Sequence, residues 1–438
     1  MLNKRLYIET FGCQMNVSDS ERITTMLADL GYLPTSTPAD ADMILVNTCS
    51  IRSGAEEKVY RRLANLRVFK KTTKHLLIGV GGCVAQQEGE ELLKKIPWLD
   101  LVFGTHNLHL LPDMVTAAER GERRCETTFI DNDRRLDLFP VTRTTNRVSS
   151  FVTIMQGCDN FCSYCIVPYV RGREVSRRSA DILAEIRTLV DAGVREIVLL
   201  GQNVNSYGLN NPAEPSFAEL IGQVAEIDDI LRIRFTTSHP KDMSEELINC
   251  FREIPKLCGQ THLPAQSGSN RTLLAMNRGY TRESYLDKIR KLKAVCPEIA
   301  ITGDMIVGFP GETEEDFEQV LSLIEEVRYV DLFSFVYSPR PGTAAAEMAD
   351  DTSREVKQRR LERLQQLQKR ITLEIHSEYL ESVQTVLVEG EGKRPGQISG
   401  RAESGRTVNF AGGSDLIGRF ADVKIIKAFQ NSLLGELV

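Results

Sequence analysis

No apolar run in the 438-residue chain approaches membrane-spanning length, so a soluble protein is expected. The opening residues carry no charged-then-apolar pattern of a secretion signal, and the ten cysteines fall at odd spacings, not as a disulfide framework. Both absences point to a reducing cytoplasm in which cysteine ligates metal. Net positive charge is lacking too: a net charge of -6 supplies no global basic field for nucleic acid, although a local basic face could still bind phosphate. At this length the chain has room for two or three domains, each with its own core.

Against that background one motif stands out. Gln156-Gly157-Cys158-Asp159-Asn160-Phe161-Cys162-Ser163-Tyr164-Cys165 sets Cys-x3-Cys-x2-Cys directly after the strand-like run Phe151 to Met155. Thiolates are soft ligands that suit iron–sulfur clusters, and a cubane has four irons, so three thiolates leave one iron open to a small molecule. Structural zinc would need a fourth Cys or His at matching spacing, and none lies nearby.

Upstream, Leu6 to Phe11, Met43 to Asn47, His75 to Val80 and Leu99 to Phe103 read as strands separated by helix-length segments. Ser18 or Asp19 would cap a helix over Glu21 to Leu30, and Ser53 one over Ala55 to Val68. Alternating strand and helix predicts a doubly wound parallel α/β sheet. Cys13, Cys49 and Cys83 each follow the end of a successive strand. Ligands collect beyond the carboxyl ends of such strands, so the three can converge on a second cluster. Any one of them alone would be read as a buried core thiol. Gly12, Gly79, Gly81 and Gly82 would let backbone approach a bulky inorganic group.

The triplet and the aromatic before its last Cys resemble the radical S-adenosylmethionine (SAM) superfamily. Thr10-Phe11-Gly12-Cys13-Gln14-Met15-Asn16, Asn47-Thr48-Cys49-Ser50-Ile51-Arg52 and Gly81-Gly82-Cys83 resemble the N-terminal module of the methylthiotransferases, and among these the MiaB type, the tRNA-2-methylthio-N6-dimethylallyladenosine synthases. The resemblance spans essentially the whole chain. It departs at Ala265 and Ala344, where Val and Pro are common, and neither is a presumed ligand. It implies two [4Fe-4S] clusters: a radical SAM cluster on Cys158, Cys162 and Cys165, and an auxiliary cluster on Cys13, Cys49 and Cys83. It further implies that two SAM molecules serve the addition of a methylthio group to C2 of N6-dimethylallyladenosine next to the anticodon of tRNA. An electron donor such as flavodoxin or ferredoxin, no membrane partner and a monomer are expected with it. Two other readings stay open. One is a methylthiotransferase acting on an aspartate of a small-subunit ribosomal protein; the other is a noncatalytic RNA-binding iron–sulfur protein.

Phe151–Met155, Glu196–Leu200, Arg232–Thr237, Gly259–Leu263, Ala300–Val307 and Leu332–Tyr337 read as six further strands alternating with helices, giving a (β/α)6 partial barrel whose working face lies at the carboxyl ends. Residues there are candidate SAM contacts: Gln202, Ser238, His262, Gln266 and Asp304, with Asn203, His239 and the Gly308 to Glu312 run. For His239 and His262 the competing reading is an ordinary satisfied barrel histidine. Arg171 and Arg173 are candidates to approach substrate or SAM, against plain surface charge. Cys250, Cys258 and Cys296 read as core thiols, and Cys125 as a bystander in a polar junction from about Glu119 to Arg147 that carries Asp131 to Arg135 and Pro140. A long helix from Ser353 to Ser377 is locally basic, which suits a solvated face or a contact to RNA backbone. Beyond it, Val383 to Val388, Arg406 to Phe410 and Ala421 to Ile426 predict a small β-barrel. That piece resembles the TRAM domain, with Lys393 and Arg394 on a Gly390 to Gly400 loop placed for phosphate contacts. The expected domains are therefore 1–120 with the auxiliary cluster, 144–374 as the radical SAM core, and 377–438 as the RNA-binding barrel.

Overall fold

The computed structural model describes residues 4–50, 55–73, 75–130, 136 and 147–438. It falls into two compact units, one of Met1–Thr144, Met155–Asp159 and Cys165–Arg177, the other of Thr145–Ile154, Asn160–Tyr164 and Arg178–Val438.

In the first unit β1 (Lys4–Thr10), β2 (Tyr32–Pro34), β3 (Met43–Thr48), β4 (Leu77–Gly82), β5 (Leu101–Phe103) and β6 (Arg124–Glu126) form one parallel sheet in the order 2-1-3-4-5-6. Helices α1 (Gln14–Ala28), α2 (Ala55–Thr72), α3 (Cys83–Glu88), α4 (Glu90–Lys95) and α5 (Leu111–Glu119) accompany it. Every residue of β3 and β4 is buried, because both faces of a doubly wound sheet are covered. Met43 and Leu45 pack with Ile23 and Leu27 of α1 and Val115 of α5. Their alternates Ile44 and Val46 pack with Val59 and Leu63 of α2 and Leu92 of α4. Strand order reverses between β1 and β3, and beyond the carboxyl ends at such a switch point ligands collect in sheets of this kind. Two edge strands, β2 and β6, join the four expected ones. Three residues long apiece, they are too short to show an alternation. Strand β6 occupies part of the expected junction and carries Cys125, which packs against the α2 side of the sheet. Ser53, the Asp131 to Arg135 run and Pro140 lie outside the described residues.

The second unit opens with β7 (Ser149–Thr153), and the chain then contributes a short antiparallel pair, β8 (Met155–Gln156) with β9 (Val175–Ser176), to the first. There follow β10 (Glu196–Leu200), β11 (Arg232–Phe235), β12 (Gln260–His262), β13 (Ala300–Val307) and β14 (Asp331–Val336). These strands pair in parallel as 7-10-11 and 12-13-14. Ile233 N donates to Lys256 O at 2.7 Å and Cys258 N to Ile233 O at 3.0 Å, which joins the two halves into one six-strand series, the partial barrel expected.

Five strands, β15 (Val383–Glu391), β16 (Gln397–Arg401), β17 (Thr407–Ala411), β18 (Phe420–Ala428) and β19 (Leu433–Leu437), close a small barrel in the order 15-16-17-19-18 around Val386, Val388, Phe410 and Ile425. The Gly390 to Gly400 stretch, expected as a loop, is strand at both ends, and the turn is confined to residues 392–396. Two arginines of β11 reach this barrel. Arg232 donates to the carbonyls of Arg401 and Thr385, and Arg234 to those of Ala402 and Glu403 while pairing with Glu196 at 2.8 Å. The long helix Arg354–Glu378 commits much of its basic charge to neighbouring acids, while Arg354, Arg359 and Lys369 stay exposed. Lys357 pairs with Asp350, Arg360 with Glu312, Arg363 with Glu314 and Glu318, and Arg370 with Glu325, acids that sequence reading could not bring alongside. Among the described residues no helix is long and apolar enough to cross a membrane.

Candidate cluster and cofactor site

Cys49 directly follows β3, Cys83 opens α3 at the end of β4, and Cys13 stands just past β1 as the N-cap of α1. Gly12 lies at φ 113°, and a Cβ there would come 2.4 Å from Cys49 Cβ and 3.0 Å from its sulfur. Only glycine lets the Cys13 loop close on Cys49 in this way. A buried hydrogen-bond network ties the three loops together. Asn16 Nδ2 donates to Asn47 Oδ1 (3.0 Å) and Thr48 O (2.8 Å), and Asn47 Nδ2 donates to Asn16 O (2.8 Å) and Ser20 Oγ (3.0 Å). Thr48 Oγ1 donates to Gly81 O (2.6 Å) and accepts from Val84 N (3.1 Å). Thr48 and Val84 adjoin Cys49 and Cys83 in the chain, and Asn16, Asn47 and Gly81 lie within three residues of a cysteine. Ser50 is buried with Cys49, while Ile51 and Arg52 lie outside the described residues.

Arg171 ends α6 (Val167–Arg171), and its guanidinium is buried against Asp19 of α1 at 2.9 Å. Burial raises the Cys83 thiol pKa; Arg171 pulls it down and Cys13 pushes it up, so these groups share one electrostatic neighbourhood. Arg171 thus faces inward in an ion pair and does not form the surface charge that was the competing expectation. Its Nη1 and the Oδ1 of Asp19 are buried with no hydrogen-bond partner among the described residues. Three cysteines at three adjacent strand ends, beside a buried cation, are a donor set that suits an anionic iron–sulfur cluster. Among the described residues no three His, Cys, Asp or Glu side chains are grouped to hold one metal ion. Cluster thiolates each take a different iron, so they stand further apart than ligands sharing one zinc at ~2.3 Å.

The second cysteine set is held from within each unit. In the first, Cys158 N donates to Gly172 O at 3.2 Å, and Asp159 Oδ1 accepts from Glu174 N at 3.1 Å. In the second, Ser163 N donates to Met276 O (3.0 Å), Ser163 Oγ to Ala275 O (2.8 Å), and Asn277 Nδ2 to Phe161 O (3.1 Å), so Cys162 is tied on both sides to the 275–277 turn. The next residue, Arg278, is buried and donates from Nη1 to Cys162 Sγ at 3.2 Å. No spacing rule in the sequence marks Arg278.

The carboxyl ends of the six parallel strands collect uncommitted polar atoms. Asn203 Oδ1 after β10, and Ser238 Oγ and His239 Nε2 after β11, are buried without a hydrogen-bond partner among the described residues. Backbone strain concentrates there too: Thr237 lies at φ 70°, Gln266 at φ 69° and Phe161 at φ 45°, a region that side-chain-bearing residues, and β-branched Thr above all, rarely adopt. His239 accepts from Lys241 N through Nδ1, and burial, with Arg278 and Lys241 near, lowers its pKa to about 2, so it is a neutral ring with its proton on Nε2. His262, at the end of β12, bonds Thr302 through Nδ1 (3.0 Å) and faces Asp304 Oδ2 through Nε2 (3.4 Å). Gln266 N donates to Asp304 O at 2.9 Å, which brings three of the expected contacts, His262, Gln266 and Asp304, to one edge of the series. Ser238 stands at the end of the neighbouring strand, and Gln202 in the loop after β10 is half-buried. Buried polar atoms without partners at strand ends are the usual footing for a polar ligand such as SAM.

Residues 5–104 match the Uncharacterized protein family UPF0004, residues 152–324 the Radical SAM superfamily, and residues 378–438 the TRAM domain. A solved radical S-adenosylmethionine methyltransferase, TsrM from Kitasatospora setae, superposes with a TM-score of 0.59 over 91% of this chain and 81% of its own, at 14% identity, a likeness of fold. Two proteins named tRNA-2-methylthio-N(6)-dimethylallyladenosine synthase are far more similar. That of Pelobacter propionicus is 72% identical over 100% of both chains, and that of Geobacter sulfurreducens 63% identical over 100% of this chain and 98% of its own. Identity of this order from end to end, over three domain matches in this sequence, leaves one assignment: the chain belongs to the family of tRNA-2-methylthio-N(6)-dimethylallyladenosine synthases.

Proposed function

We propose that this protein adds a methylthio group to C2 of N6-dimethylallyladenosine next to the anticodon of tRNA, using two SAM molecules and two [4Fe-4S] clusters. The observation that carries the reading is the gathering of Cys13, Cys49 and Cys83 at three adjacent strand ends, in a chain that also holds the Cys158, Cys162 and Cys165 triplet. When bound, the clusters supply what side chains cannot: an electron for reductive cleavage of SAM, and an anchorage for sulfur. The protein's own residues do the rest. Asn16, Asn47 and Thr48 fix the three cysteine loops, and the Asp19–Arg171 pair balances negative charge beside them. Asn203, Ser238 and neutral His239 offer polar atoms to one side of bound SAM, with Gln202, His262, Gln266 and Asp304 as further contacts. The small C-terminal barrel, with Lys393 and Arg394 at its 392–396 turn, suits contacts to tRNA phosphate.

The layout proposed is 1–120, 144–374 and 377–438, working as a cytoplasmic monomer with a flavodoxin or ferredoxin as electron donor. The test is mass spectrometry of tRNA nucleosides from a strain lacking the gene. The methylthiolated, prenylated adenosine should vanish and its prenylated precursor accumulate. Unchanged nucleosides, with loss of a modified aspartate from a small-subunit ribosomal protein, would overturn the assignment.

A further inference from the structure

Arg278 is a buried guanidinium whose hydrogen bonds are all specified. Its Nη2 donates to Pro264 O (2.8 Å), its Nε to Tyr280 Oη (3.1 Å), and its Nη1 to Tyr164 Oη (3.3 Å) and Cys162 Sγ (3.2 Å). Tyr280 is itself fixed by donating to Ala265 O at 2.7 Å, and its ring lies 5.3 Å from the guanidinium carbon. Among the described residues no carboxylate bonds it: the hydrogen-bond partners are two phenols, one carbonyl and one sulfur. A buried cation without a carboxylate counter-ion is costly, and its charge is best answered by an anion that arrives with a cofactor.

We propose that Arg278 is a positioning residue that sets the reduction potential of the cluster held by Cys162, by a charge-assisted N–H to that sulfur. The proposal rests on Cys162 being a cluster ligand. Hydrogen bonds to cluster sulfurs and nearby positive charge both favour the more negative, reduced state, and burial strengthens each effect. One electron passes from the external protein donor to the cluster, the donor is oxidised and the cluster reduced, and Arg278 stays protonated throughout. Arg278 therefore brings the cluster within reach of a biological donor.

The test uses the full chain carrying Cys13→Ala, Cys49→Ala and Cys83→Ala, so that one cluster remains, and measures its midpoint by an EPR-monitored redox titration beside iron content. Arg278→Gln should lower the midpoint by at least a tenfold shift in the one-electron equilibrium, ~59 mV, and Arg278→Lys, which keeps the charge, by less. A Gln variant with full iron and an unshifted midpoint overturns the proposal. Should the Gln variant lose its iron, Arg278→Lys and Tyr280→Phe decide the matter: an altered EPR signal or midpoint in either supports the role, and parent values in both overturn it. A parent chain that holds no cluster at all would instead overturn the assignment of Cys158, Cys162 and Cys165.

Discussion

Single thiols separate the two halves of the chemistry. Cys49→Ala should abolish methylthiolation yet leave SAM cleavage to 5′-deoxyadenosine, because Cys158, Cys162 and Cys165 are untouched, whereas Cys162→Ala should remove both. Quantifying 5′-deoxyadenosine and methylthiolated base side by side checks this, and normal methylthiolation by the Cys49 variant would contradict it. The strand ends that carry Cys13, Cys49 and Cys83 were legible from the apolar runs before them. The groups that hold them were not. Asn16 and Asn47 lie thirty-one positions apart, and nothing in their local pattern says that they bond each other. Asn47→Ala removes one of the two acceptors of Asn16 Nδ2 and the side-chain donor to Asn16 O, at a cost of ~1–3 kcal/mol for buried bonds lost. The expected outcome is less iron per chain, measured with Cys158, Cys162 and Cys165 replaced by Ala, while the fold persists by circular dichroism.

Among the elements, helix Glu314–Val327 carries a clear pH signature. Asp316 closes a capping box with Thr313 and also accepts from Ser269 and Arg271. Burial pushes its pKa up, but Arg271, Ser269 and Thr313 more than offset this and hold it down at about 2, against 3.8 ordinarily. A depressed folded-state pKa stabilises fully above the unfolded value and is lost as pH falls through the folded one. Asp316→Asn should therefore cost on the order of 2 kcal/mol at pH 6, and the gap from the parent should shrink between pH 4 and pH 2, as read by urea unfolding. A gap independent of pH would refute it. Long elements such as this helix, and β3, β4 and β13, were visible from periodicity or unbroken apolar runs. Strands β2, β6, β16 and β19 were not, because three to five residues paired at an edge or at a barrel seam take their conformation from neighbours distant in sequence. The same holds for the long helix, whose basic residues looked free until Glu312, Glu314 and Glu318 came alongside.

For the molecule as a whole, anaerobic reconstitution should load two clusters, and the chain with Cys158, Cys162 and Cys165 changed to Ala should keep one. Iron and sulfide analysis giving a single cluster in the unaltered chain would contradict this. Substrate choice follows from the prenyl group. Burying its carbons contributes ~2–4 kcal/mol, enough to prefer a prenylated anticodon stem-loop over the bare loop by tens of fold or more in single-turnover assays. Equal rates on both would sink that discrimination. The arginines of β11 have a consequence for how such a chain can be recombined. Arg232 and Arg234 end on backbone carbonyls of Thr385, Arg401, Ala402 and Glu403, so this part of the seam with the C-terminal barrel is read from main chain, while the side chains of Glu403 and Arg406 add bonds to Gly259 N and Val330 O. A foreign barrel transplanted in its place would have to present those same carbonyls and the two side-chain bonds, and simple amputation would strip both guanidinium groups of these acceptors.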